Sequence, residues 1–107
     1  MIYEMRIYEA MPGKMQDLNN RFQNITMDYF YKYNLQPVGF WTEDIGISNR
    51  LIYILAFENM AQRENAWNDF RNDPDRAEAF AETERNGPLV AKVSSSILKP
   101  TVYSQLK

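Results

Sequence analysis

The chain contains no cysteine and no histidine, and these two absences remove more chemistry than anything else about it. Without cysteine there is no disulfide, no thiolate nucleophile and no zinc–thiolate site. Without histidine the commonest general base and the commonest transition-metal ligand are missing, and a Ser-His-Asp arrangement is impossible. An excess of charge of one sign is absent too. Twelve Lys and Arg face fourteen Asp and Glu, for a net charge of −2. That is a poor match for nucleic acid or an anionic membrane, both of which select basic patches, so neither is expected as a partner. No Gly-rich phosphate loop, nucleophile elbow or dinucleotide fingerprint occurs, and no apolar run has the length that crosses a bilayer. The opening Met1-Ile2-Tyr3-Glu4-Met5 lacks the basic and apolar regions of a secretory signal, and Glu4 argues against a transit peptide. The expected location is the cytoplasm. An acidic group at Asp69, Asp73, Asp75 and Glu78 has no calcium-loop spacing, and carboxylates are favoured at helix N-termini in any case. No metal and no cofactor are expected.

What the chain does hold is apolar and aromatic side chains, 45% and 14% of its 107 residues. That is enough for a core and well outside the disordered class. The length sits near the commonest domain size, so residues 1–107 are read as one domain.

Residues 2–9 alternate, with Tyr3, Met5 and Ile7 on one side and Ile2, Glu4, Arg6 and Tyr8 on the other. This period of two predicts a strand, which Pro12-Gly13 ends. Met15, Leu18, Phe22, Ile25 and Tyr29 recur at helical steps and predict one amphipathic helix from about Lys14 to Tyr33, stopped at Asn34. A second strand is expected from about Gln36 to Glu43, with Gly39 marking a close approach to the backbone. A hairpin loop over residues 44–49 then uses Gly46 for positive φ and Asn49 as a turn residue. Residues 50–57 are almost wholly apolar, as in a central strand buried on both faces. A helix over Ala61–Arg71 carries Trp67 and Phe70 inward. Asp73-Pro74 breaks it, and a further helix to about Arg85 turns Ala77, Phe80, Ala81 and Glu84 to one side. A last strand spans about Val90 to Leu98.

The order is β-α-β-β-α(α)-β, an α+β domain. It predicts a ferredoxin-like sandwich: a four-stranded antiparallel sheet with helices packed on one face. Large apolar groups occupy both sheet faces, and patches above a few hundred Å2 seldom stay exposed on a soluble monomer. The expectation is an obligate homodimer, with Leu51, Tyr53 and Leu55 facing one neighbour and Ile52 and Ile54 the other.

Several islands in order along the chain resemble the NIPSNAP family. They are Ile2-Tyr3-Glu4-Met5-Arg6-Ile7-Tyr8 followed by Pro12-Gly13-Lys14, Val38-Gly39-Phe40-Trp41, Gly46 with Asn49, Ala61 to Trp67 with Arg63, Asp73-Pro74, and Ile97-Leu98-Lys99-Pro100. The resemblance implies a dimeric α+β barrel, in which two ferredoxin-like sheets pack face to face with helices outside. It implies little about function. Members often carry a histidine in the first helix or third strand, which this chain lacks, so a mechanism needing imidazole does not carry over.

Related barrels place a pocket between sheet and helices, and five residues are candidates to line one here. Arg6 is a charge within an otherwise apolar strand: either a bidentate anchor for a carboxylate or enolate, or half of an ion pair with Glu4 or Glu43. Tyr8 and Tyr53 either donate to a ligand oxygen or are amphipathic core aromatics. Phe40 and Trp41 point to opposite faces, one towards the helices and one towards the partner subunit, and Trp41 is counted among the ligand candidates. Trp67 either roofs an aromatic pocket or simply packs. Arg63 and Glu64 read as surface charges. Three functions follow: a homodimeric binding domain for a small, mostly apolar ligand, an enzyme of cofactor-independent monooxygenase or isomerase type, or a non-catalytic protein-interaction module.

Overall fold

The computed structural model describes all 107 residues. The elements are β1 (Ile2–Ala10), α1 (Met15–Arg21), a π-helical turn (Phe22–Thr26), α2 (Met27–Lys32), β2 (Gln36–Thr42), β3 (Arg50–Phe57), α3 (Met60–Asn72), α4 (Pro74–Thr83) and β4 (Val90–Leu98). The four strands form one antiparallel sheet in the order β2-β3-β1-β4. This is the ferredoxin-like α+β sandwich expected from the element order.

Strand alternation sets the two faces. In β3, Leu51, Tyr53, Leu55 and Phe57 are buried under the helices, while Ile52, Ile54 and Ala56 between them are only half-buried on the open side. The β1–β3 register sets Glu4 opposite Leu55, Arg6 opposite Tyr53 and Tyr8 opposite Leu51. Since paired residues share a face, β1 presents those three polar groups to the helices. Phe40, paired with Tyr53, joins them, and its ring stacks on Tyr53 at 5.0 Å. Trp41 pairs with Ile52 on the open side. Its ring lies across Gly39, where a Cβ would come within 2.7 Å of it; here the close approach is by the protein's own indole.

The first helix departs from the expected unbroken stripe. The inward residues are Leu18, Phe22, Thr26 and Phe30, with Ile25 and Tyr29 only half-buried. A π turn takes up one residue more than an α turn, so beyond Phe22 every inward position slips by one. Asn34, at φ 61, ends α2 as foreseen. Leu35 N–H donates to the Phe30 carbonyl at 2.8 Å, the long bond of a Schellman cap, and Leu35 itself is buried.

Asp73 accounts for the acidic cluster. It ends α3 and caps α4, accepting from the Asp75 and Arg76 amides at 2.8 and 3.1 Å, with Pro74 filling the first turn. It also accepts from Tyr33 and from Lys32. Helix α4 is rotated from expectation: Ala79, Phe80 and Thr83 turn inward while Ala77 and Ala81 are exposed. Its hold on the core is light, since none of its residues is fully buried. The helices leave β4 uncovered from Ala91 onward.

Candidate functional site

Glu4 lies mid-strand in β1 with no exposed surface, and a buried carboxylate needs partners. It has four. Arg63 of α3 grips it through two nitrogens at 2.9 and 3.0 Å, the Trp67 indole donates at 2.8 Å, Ser95 of β4 donates from the next strand, and Arg6 approaches at 3.3 Å. Burial works to raise the Glu4 pKa, but the hydrogen bonds from Arg63, Ser95 and Trp67 outweigh it and hold the group down at about 2. Arg63 is therefore no surface charge. One turn of helix before Trp67, it faces the sheet with that residue because i and i+4 share a face. Glu64 is exposed.

Arg6 divides its donors three ways: Nε to the Tyr53 hydroxyl at 2.8 Å, Nη1 to Glu4, and Nη2 to the Tyr8 hydroxyl at 3.3 Å. Its guanidinium also lies 4.5 Å from the Trp67 ring centre. Tyr53 donates on to Tyr8 at 3.1 Å. Burial would lower the Arg6 pKa, yet Tyr53 and Tyr8 raise it, and the group stays charged. Burial, reinforced by Tyr8, pushes the Tyr53 phenol well above its ordinary value despite Arg6. All three displaced groups move away from neutrality.

Beside this network is a cavity of about 110 Å3 between β1 and the helices. Six aromatic rings line it (Tyr8, Phe22, Phe30, Trp67, Phe70, Phe80), together with three guanidiniums (Arg6, Arg21, Arg71) and Thr26. No carboxylate lies among the lining residues. Three of the sequence candidates, Arg6, Tyr8 and Trp67, thus meet in one place, with the Tyr53 hydroxyl behind them. Trp41 does not join them; it stands half exposed on the opposite sheet face. No three Asp or Glu side chains converge in the structure.

The fold and this polar row can now be set beside known proteins. The NIPSNAP family profile matches residues 3–105. The chain belongs to the NIPSNAP family. A NipSnap protein of Caenorhabditis elegans is 32% identical over 107 residues, covering 99% of this chain, and the chain spans only 19% of that relative's length. Among solved structures, protein Atu4242 from Agrobacterium tumefaciens superposes with a TM-score of 0.87 at 24% identity over 100% of both chains. A NIPSNAP-like domain protein from Burkholderia xenovorans gives 0.86 at 21%, covering 96% of this chain and 87% of that one. More remote, an antibiotic biosynthesis monooxygenase gives 0.61 at 8%, covering 94% and 99%. At such identities the structural likenesses establish the fold alone.

Sequence reasoning about this NIPSNAP domain missed Arg21 and Thr26, both buried in the cavity wall. The one available signal was an arginine beside Phe22 and a threonine one turn after it. The π turn that brings Thr26 inward left no mark in the periodicity.

Proposed function

We propose that this NIPSNAP domain is a homodimeric binding domain that holds a small, mostly apolar ligand in the cavity between β1 and the helices. The observation that carries the reading is the aromatic cavity itself, a partly open space with a polar wall on one side. At about 110 Å3 it is smaller than the roughly 150 Å3 apolar cavity that holds benzene and far below the roughly 300–1,000 Å3 of pockets for drug-sized molecules, so the ligand it suits is a very small one. The displaced pKa values favour binding over an isomerase or oxygenase that moves protons at neutral pH. A pure interaction module would have no use for a cavity lined with charged donors.

The second subunit is proposed on the open sheet face. Met5, Ile7, Ile52 and Ile54 are half-buried there and Trp41 is half exposed. Only 18 of 107 residues are buried in the lone chain, so much apolar surface is left for a partner to cover. An interface of about 800 Å2 per subunit would be of ordinary stable size.

Native mass spectrometry of the protein purified from its own host tests both halves together. A dimer carrying a non-covalent small-molecule adduct is the expected result. A monomer with no adduct, joined to no thermal stabilisation by benzene-sized compounds, would overturn the reading.

A further inference from the structure

Two residues of the cavity lining each bury a polar atom that has no partner: Nε of Arg21 and the hydroxyl oxygen of Thr26. Their residues are 7% and 3% exposed, so water does not readily replace what is missing. Orphaned buried donors are uncommon in folded proteins and need an explanation. Arg21 spends only Nη1, on Thr83 at 3.4 Å and Glu84 at 3.1 Å, while its guanidinium packs 4.6 Å from the Phe80 ring. Thr26 closes the π turn, and turns of that kind are frequent at functional sites. An aliphatic residue would fill the same space without stranding a hydroxyl.

The charge around the cavity points the same way. Arg6 uses three of its five donors on Tyr53, Glu4 and Tyr8. Glu4 is shared between Arg6 and Arg63, and two half-buried guanidiniums against one buried carboxylate leave this trio with a net charge of +1. Arg71 adds a third guanidinium to the lining, and no lining residue is acidic. Such a wall favours a single negative charge that accepts several hydrogen bonds.

We infer that the cavity is a monocarboxylate site. Arg21 Nε–H and the Thr26 hydroxyl donate to the carboxylate of a small aromatic or branched-chain acid, whose hydrocarbon part lies among the rings. The inference rests on the reading of this cavity as a ligand site and adds the ligand's chemical class. A planar carboxylate matches a guanidinium edge; the cavity, about 110 Å3 and not fully enclosed, is smaller than the roughly 150 Å3 that holds benzene, so the hydrocarbon part of the acid extends towards its open side.

The test is calorimetric titration of the intact protein with benzoate and with nitrobenzene, its neutral isostere, repeated on Thr26→Val and Arg21→Lys. Benzoate should bind wild type at least about tenfold more tightly than nitrobenzene, as expected for hydrogen bonds to a charged group. Both variants should bring benzoate close to the nitrobenzene value and leave nitrobenzene unchanged. Thr26→Val loses only an unpaired hydroxyl, so it decides the matter even if Arg21→Lys folds poorly. If the two compounds bind wild type equally, or if Thr26→Val leaves benzoate unaffected, the carboxylate site is refuted while a ligand cavity survives. If neither binds at concentrations on the order of millimolar, well above the usual range for specific ligands, both readings fall.

Discussion

Replacing Glu4 by Gln should be among the most damaging isosteric changes in this domain. The carboxylate has no exposed surface and accepts from Arg63, Trp67 and Ser95, with Arg6 at 3.3 Å. An amide can still accept through its oxygen, but its NH2 would face donors of Arg63 and Arg6, and two half-buried guanidiniums would lose their counter-charge. Removing one partner from a buried ion cluster costs about 3–5 kcal/mol, against total stabilities of about 5–15 kcal/mol. The pKa gives a separate figure. With Glu4 held at about 2 in the folded chain and 4.5 ordinarily, its ionised form contributes about 3 kcal/mol. Because the folded value is the lower one, the unfolded chain takes up the proton first as pH falls. The contribution is therefore complete above about pH 5 and is lost progressively towards pH 2. Urea unfolding measured across that range is the assay. Glu4→Gln should fall below wild type by about 3 kcal/mol or more at neutral pH, and the gap should close as the pH approaches 2. A gap under about 1 kcal/mol at neutral pH, or one that stays constant on acidification, would refute the assigned role of Glu4.

Two further substitutions separate the cavity from the sheet face. Thr26→Val in the ligand-free protein should raise stability by about 1 kcal/mol, or about 4–8 °C in Tm, because it removes an unsatisfied buried hydroxyl; a fall in Tm would mean that the hydroxyl has a partner. Ile54→Asp puts a carboxylate in the middle of the open sheet face. If that face meets a second subunit, sedimentation at micromolar concentration should show the dimer lost or the chain unfolded. A variant that stays dimeric at wild-type stability would put the partner elsewhere.

How far the site was legible depended on how local its causes are. Arg6 stood out in sequence because a charge inside an apolar strand breaks a period of two; of its two foreseen readings the ion pair with Glu4 is the one the structure shows, on a residue that also lines the cavity. Tyr8 reaches the same place by the same strand alternation, and Trp67 by the helical period of α3. Trp41 went astray for a different reason. Alternation separates it from Phe40 but does not say which of the two meets Arg6; that follows from the pairing of Phe40 with Tyr53 and of Arg6 with Tyr53. Arg63 looked like any charge on a helix, since nothing near it in the chain reveals a carboxylate 59 residues earlier.

By itself, then, the sequence determined the kinds of element, their order, the two sides of each strand and the ends of the helices, because alternation, turn residues and caps act over a few neighbouring residues. Only the tertiary structure decided that a π turn shifts the first helix by one position and exchanges Ile25 for Thr26 in its buried row. It alone set Glu4 among Arg63, Trp67 and Ser95, and closed a cavity over Arg6 and Arg21. These outcomes depend on contacts between residues 59 to 91 positions apart, whose energy appears only when the helices are laid on the sheet.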